Sequence, residues 1–166
     1  GQSLINFIFI FFSLYFLTNF RDFYLLFILI FLFVLILNLS GKIFLGDSGI
    51  YFISAIICII FIYEHNLFKT IAYADYIFFL ACLPGYDLVR LTITRLINNQ
   101  NAFYGDRNHL HHLLLKKFSL LISNLILIFL LIIPVLLFFL YRLSFFNVVI
   151  IFTVIYSILV SYLLKK

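Results

Sequence analysis

Long apolar runs separated by short polar interruptions dominate the chain. A helix that crosses the roughly 30 Å hydrocarbon core of a bilayer needs about 20 mostly apolar residues. Six stretches approach that requirement: 4–17, 24–39, 51–63, 67–83, 120–140 and 147–164. Runs such as IFIFFSLYFL and LILIFLLIIPVLLFFL do not alternate in polarity, so a membrane β-barrel is excluded. The pattern predicts an all-α, polytopic membrane protein with about six transmembrane helices and one long polar loop, 84–118. Pro134 falls inside the fifth run, where a membrane helix tolerates a kink. The first and third runs are short and are expected to extend into the adjoining loops.

Composition sharpens this reading. Of 166 residues, 66% are hydrophobic and 10% charged, against about 45–50% and about 25% in soluble domains. With 24 Phe, 11 Tyr and a mean hydropathy of +1.25, disorder, collagen and a basic nucleic-acid-binding protein are all excluded, so no nucleic-acid partner is expected. Cys58 and Cys82 lie in apolar runs, without metal-ligand spacing or a disulfide framework, and are expected to be buried. Gly1 leads straight into an apolar run with no basic segment before it, so no cleavable signal peptide is read. The missing initiator Met is taken to mark a fragment.

Six spans would place both termini and alternate loops on one side. That side collects Lys42, Arg90, Arg95, Arg107, Lys116, Lys117, Lys165 and Lys166, leaving Arg21, Lys69 and Arg142 opposite. Cations concentrate on cytoplasmic loops, so the expected location is an inner (cytoplasmic) membrane with the polar clusters facing the cytoplasm. The first part of the long loop reads as a helix lying along the interface. Val89, Ile93, Leu96 and Ile97 share one face of it, and Asp87, Arg90, Thr94 and Asn98 the other.

Two polar clusters could carry chemistry. The first, Gly41-Lys42-Ile43-Phe44-Leu45-Gly46-Asp47-Ser48-Gly49, is expected to form the turn (about 40–50) between two spans. Gly46 and Gly49 allow positive φ and close approach to a ligand. Asp47 is a hard oxygen donor of the kind Mg²⁺ takes while it bridges substrate phosphates. The plainer alternative is an interhelical turn with Asp47 or Ser48 as the helix cap. Gly-Asp-Ser-Gly also resembles the nucleophile loop of trypsin-like proteases, but those are disulfide-linked β-barrels, and here a membrane helix follows.

The second cluster is Asp106-Arg107-Asn108-His109-Leu110-His111-His112. On a helix, His109 and His112 would share a face at i, i+3. Such imidazoles can clamp phosphates, orient a sugar or bind a transition metal, although both cysteines lie in spans and no fourth zinc ligand is nearby. Arg107 suits a bidentate phosphate contact, and Asp106 could orient one imidazole. Asp87, after Pro84-Gly85, is either a third functional carboxylate or a helix N-terminal charge complementing the macrodipole. Asp75 and Lys69, in or near a span, are functional suspects by default, although Lys69 can snorkel outward and Asp75 can simply face a neighbouring helix. Glu64 and His65 are expected to be solvated in an outer loop.

Together the clusters resemble a known family. Lys42-Ile43-Phe44-Leu45-Gly46-Asp47-Ser48-Gly49 is similar to the K-[IV]-F-[LM]-G-D-[STA]-G element of the polyprenyl-phosphate N-acetylhexosamine-1-phosphate transferases, a bacterial glycosyltransferase 4 family. Asp87 through Arg95, then Phe103 and Asp106-Arg107-Asn108-His109-Leu110-His111-His112-Leu113, resembles that family's late cytoplasmic loop, in the form of the undecaprenyl-phosphate GlcNAc-1-phosphate transferases. Ile50 and Tyr104-Gly105 depart from the pattern, standing where Ser and Ser-Pro are usual. The resemblance covers essentially the whole chain and corresponds to the C-terminal part of the family's fold, the paired aspartates belonging upstream.

The resemblance implies a membrane transferase that moves N-acetylhexosamine-1-phosphate from a UDP-N-acetylhexosamine to polyprenyl (undecaprenyl) phosphate. UMP would be released, and the product would be a lipid carrier for cell-wall or surface-polysaccharide synthesis. Mg²⁺ is the implied cofactor, with Mn²⁺ as an alternative ion. Asp47 becomes the catalytic metal ligand. Lys42, Arg107, His109, His111 and His112 become substrate-binding residues, with Ser48, Asp87 and Asp106 behind them. Asp47 and the imidazole trio are expected to serve one magnesium-bound diphosphate. A homodimer is compatible with this reading. The alternatives are an inactive fragment lacking the upstream carboxylates, or a transporter or channel subunit whose histidines relay cations.

Overall fold

The computed structural model describes residues 2–17, 20–67, 69, 74–101 and 108–165. Among them there is no strand, and eight helices follow one another: α1 Gln2–Leu17, α2 Arg21–Leu39, α3 Gly46–Asn66, α4 Ala74–Leu80, α5 Cys82–Ile97, α6 Leu110–Lys117, α7 Leu120–Phe139 and α8 Phe145–Leu164. The chain divides into two compact units, Gly1–Leu80 and Ala81–Lys166.

Four helices, α2, α3, α7 and α8, are long and apolar enough to cross a membrane, and α4 with α5 makes a fifth if the pair is one broken span. Two of the six expected spans fall short of this among the described residues: the first run gives the shorter apolar α1, and the fourth is broken at Ala81 between α4 and α5. Among the described residues of 67–83, Leu67 caps α3, Ala74–Leu80 form the seven-residue α4 and, after a turn at Ala81, α5 starts at Cys82. The polar loop is likewise mostly helical. Pro84 is the third residue of α5, in a first turn whose N–H groups have no helical acceptor, so its missing hydrogen costs little.

The first unit is built on aromatic packing. Leu4, Phe7, Phe11 and Leu14 recur at helical spacing on the buried side of α1. Phe11 stacks on Phe27 of α2 at 4.8 Å and on Phe31 at 5.4 Å, and Phe7 lies 6.0 Å from Phe31. The two helices meet where rings interlock, which the short connection between them permits. Glu64 corrects one expectation. It is buried near the end of α3, where the Tyr24 hydroxyl of α2 donates to it, because a carboxylate with almost no water must be answered by a protein donor.

A Schellman motif ends α2. The Gly41 N–H donates to the Asn38 carbonyl and the Lys42 N–H to Leu37, both at 3.0 Å, with Gly41 at φ +73°. Asn99, at φ +54°, ends α5 in the same way.

In the second unit α7 and α8 pack together, with Leu127, Leu130, Leu131 and Pro134 buried on one and Val148, Phe152, Tyr156, Val160 and Leu163 on the other. Pro134 sits within α7, as expected. α6 packs on both through Leu110, Leu113 and Leu114. Lys117 at its end donates to the Tyr162 and Lys165 carbonyls at 2.7 and 2.8 Å, placing a cation where α8 leaves its last carbonyls unpaired.

Large apolar side chains remain outside. Phe33, Ile36, Phe129 and Ile158 are each more than 60% exposed, which in water would be a liability and in lipid is the favourable state. Cys82 is buried as expected; Cys58 is exposed, on the open side of α3.

If α3 crosses the bilayer, its ends lie on opposite sides. Single cysteines introduced as Ser40→Cys and Asn66→Cys, with Cys58 and Cys82 replaced by Ala, are expected to react with an impermeant maleimide from opposite faces of sealed vesicles. Labelling of both from one face would remove α3 from the spans.

Candidate functional site

The Gly41–Gly49 segment is less of a turn than its glycines suggest. Only 40–45 are non-helical, and Gly46-Asp47-Ser48-Gly49 forms the first turn of α3. Gly46 takes φ +66°. Gly49 does not take positive φ; it is helical, and a Cβ there would meet the Leu45 side chain at 3.0 Å. Neither Asp47 nor Ser48 is the cap. Leu45 holds that position without a side-chain bond, and Asp47 is an exposed first-turn carboxylate facing the positive end of the helix dipole. Ser48 and Lys42 are exposed as well.

The second unit places its chemistry around Asp87. This carboxylate is not at a helix N-terminus, as one reading held. It is the sixth residue of α5 and only 4% exposed. Five donors converge on it. Arg90 gives Nη2 at 2.8 Å and Nε at 3.2 Å, His109 gives Nδ1 at 3.0 Å, the Leu110 backbone N–H lies at 3.1 Å, and the Tyr156 hydroxyl at 3.2 Å. Arg90 also donates to the Asn108 carbonyl. Two α5 residues thus grip three consecutive residues, 108–110, where α6 begins.

The apolar and polar faces of α5 are the reverse of those on a helix in water. Val89, Ile93, Leu96 and Ile97 are exposed, whereas Asp87 is buried and Arg90 partly so. Only the first half of the expected polar face packs: Thr94 and Asn98 are exposed, and the apolar Leu91 is buried beside Asp87. Next to Tyr156, the Tyr86 hydroxyl lies 2.6 Å from Thr153 Oγ1, so α5 and α8 are joined by polar contacts along adjoining turns.

The three histidines do not share one helical face. His109 is the N-cap of α6, with an extended backbone, and its carbonyl accepts from the His112 N–H and the Leu113 N–H. His111 and His112 follow in the first turn with ring centroids 3.9 Å apart, and His109 lies 6.0 Å from His111. Asp87 orients the His109 imidazole. Asp106 and Arg107 lie outside the described residues. Nδ1 of His111 is buried with no hydrogen-bond partner among the described residues. Burial, together with the neighbouring His112 and His109 rings, pushes His111 down to about 4, well below the ordinary imidazole value of 6.5.

A cleft of about 230 Å³ is lined by the polar Arg90, Arg95, Asn98 and Asn108 and the apolar Leu91, Leu113, Val160 and Leu164; none of the three histidines lines it. Sequence reasoning missed Tyr156. The signal was faint but present: Thr153, Tyr156 and Ser157 put hydroxyls on successive turns of an otherwise apolar helix, and polar groups within a span face protein.

Among the described residues no three His, Cys, Asp or Glu side chains gather as a metal site. Asp47 offers one carboxylate, which fits an ion delivered with a diphosphate and does not make a resident magnesium centre. Compared with known proteins, the chain matches no family model, no curated protein and no solved structure.

The neutral state of His111 carries a stability signature. Below about pH 6.5 the unfolded chain binds a proton that the folded protein refuses until about pH 4. The contribution is therefore intact above pH 6.5 and lost as pH falls across that window. His111→Gln is expected to flatten that part of the pH dependence of the thermal unfolding midpoint in detergent. An identical slope in the variant would show His111 to be charged when folded.

Proposed function

We propose that this chain acts in the transfer of N-acetylhexosamine-1-phosphate from a UDP-N-acetylhexosamine to a membrane polyprenyl phosphate, with release of UMP. The observation that carries the reading is the pair of polar elements, Lys42–Gly49 and Asp87 through His112, with their resemblance to the motifs of that family. The arrangement of the second unit supports it. A cleft lined by Arg90 and Arg95 together with the aliphatic side chains of Leu91, Leu113, Val160 and Leu164 suits an anionic amphiphile, the chemical character of a lipid phosphate.

Two anionic phosphates have to meet at the membrane surface, and transfer between them depends mostly on positioning and charge stabilisation. Arg90, Arg95 and the imidazoles of His111 and His112 would hold phosphate and sugar oxygens, and Lys42 would add positive charge near Asp47. Magnesium would arrive with the diphosphate of the nucleotide sugar, Asp47 supplying one protein oxygen. In this reading the cation-rich side of the membrane is the cytoplasmic one. α1, short but apolar, would be a further span.

A relay of cations through the histidines is the weaker reading. The imidazoles lie at the cap and first turn of the short α6, and the Thr153 and Tyr156 hydroxyls of α8 are used in contacts with α5.

Membranes containing the protein from its complete reading frame are expected to convert UDP-GlcNAc or UDP-GalNAc and a polyprenyl phosphate to lipid-linked sugar and UMP, and to stop on addition of EDTA. Asp47→Asn is expected to lower turnover by at least about 100-fold, the usual cost of removing one preorganised charge from such a site, with membrane insertion unchanged. Full turnover in that variant would take Asp47 out of the mechanism.

A further inference from the structure

His109 differs from the other two imidazoles in how it is held. A carboxylate only accepts hydrogen bonds, so the ring nitrogen 3.0 Å from Asp87 Oδ2, Nδ1, must carry the hydrogen. Proton gain and loss at this ring is thereby confined to Nε2. The position is fixed several times over. Asp87 takes the adjacent Leu110 N–H, Arg90 takes the Asn108 carbonyl, and Tyr156 donates to Asp87 Oδ1 from α8. The His109 side chain nevertheless keeps 44% exposure, whereas that of Asp87 keeps 5%. A buried carboxylate locking the tautomer of an accessible imidazole is the arrangement that makes a directed proton acceptor.

We infer that His109 is the proton acceptor for the attacking lipid phosphate, with Asp87 and Tyr156 as its positioning residues. This rests on the transferase reading and separates His109 from His111 and His112. A phosphate monoester has a second pKa near 6, and the negative potential of an anionic leaflet raises the local proton concentration, so part of the acceptor reaches the surface as the monoanion. His109 Nε2 takes that proton, and the freed oxygen attacks the sugar-linked phosphorus. The new P–O bond forms as the bond to UMP breaks, and UMP leaves with the electron pair. The proton passes from Nε2 to UMP or to water, which restores the neutral ring. Asp87, already charged and paired with Arg90, stabilises the imidazolium without taking the proton itself.

The test uses the protein from its complete reading frame in nanodiscs, with a UDP-N-acetylhexosamine and a polyprenyl phosphate. His109→Gln is expected to lower kcat by about 100-fold to about 10,000-fold, the range for loss of a general base, with KM for the nucleotide sugar within about 2-fold. Asp87→Asn is expected to lower kcat similarly, since its amide can donate to Nδ1 and reverse the tautomer. Should that variant fold poorly, Tyr156→Phe serves instead, with a several-fold loss confined to kcat. In the wild type, ¹⁵N spectra of the His109 ring should show a hydrogen on Nδ1 and, at high pH, a bare Nε2. Wild-type kcat in His109→Gln, or a hydrogen fixed on Nε2 at high pH, would overturn the assignment while leaving the transferase reading in place. A wild type that transfers no sugar phosphate at all would overturn both.

Discussion

A carboxylate with almost no access to water has to be answered from within the protein, and in the second unit the answer organises everything around it. Asp87 is surrounded by a chain that is two-thirds hydrophobic. Leaving it unpaired would cost several kcal/mol, and pairing it with Arg90 alone would still leave lone pairs empty. The remaining donors come from places far apart in sequence: the Tyr156 hydroxyl in α8, the His109 ring and the Leu110 N–H at the start of α6. Satisfying one charge therefore fixes where α6 begins, which residues of α5 face inward, and which way the His109 ring is turned. Packing of Leu110, Leu113 and Leu114 adds area to this arrangement, but apolar contact has no direction and could not choose the orientation of an imidazole.

The surrounding helices follow the opposite logic. With so few polar side chains available, most of each long helix is left apolar on every side, and the buried positions are those where rings or branched chains interlock, such as Phe11 between Phe27 and Phe31. Lipid places no premium on burying such surface, so the few polar contacts become the selective ones. Tyr24 to Glu64 in the first unit and Tyr86 to Thr153 in the second each join two helices at a definite register. Left unpaired, the buried Glu64 would carry its desolvation cost without a compensating hydrogen bond.

Much of this was legible in the sequence, because run length and polarity decide which segments can be long apolar helices. The existence of α2, α3, α7 and α8, close to their ranges for all but the start of α3, and the helical first part of the polar loop follow from spacing alone. What was not legible is what depends on partners distant in the chain. Asp87 reads as a helix-start charge when only Pro84 and Gly85 are considered, and becomes a buried hub only when Tyr156 and His109 arrive. Glu64 reads as solvated until Tyr24 meets it. The fourth apolar run has the composition of one span, but composition does not show the turn at Ala81. The histidines drew the helical reading by their spacing, yet a residue whose ring is committed to Asp87 can stand at the cap with an extended backbone. The motif resemblance pointed to these residues; it did not show that the three rings are held differently, His109 by Asp87 and His111 with a buried nitrogen.

The difference extends to the carboxylates. An ionised carboxyl group offers about four lone-pair sites. Asp87 receives five donor atoms from four residues, so its capacity is filled by the protein and it has none left for a metal ion or a substrate hydroxyl. Asp47 stands exposed in the first turn of α3, with a helix dipole favouring its charge. Two aspartates that look equally promising in the sequence are thus suited to different work. The saturated one can only hold other groups in place, and the open one can still take a ligand.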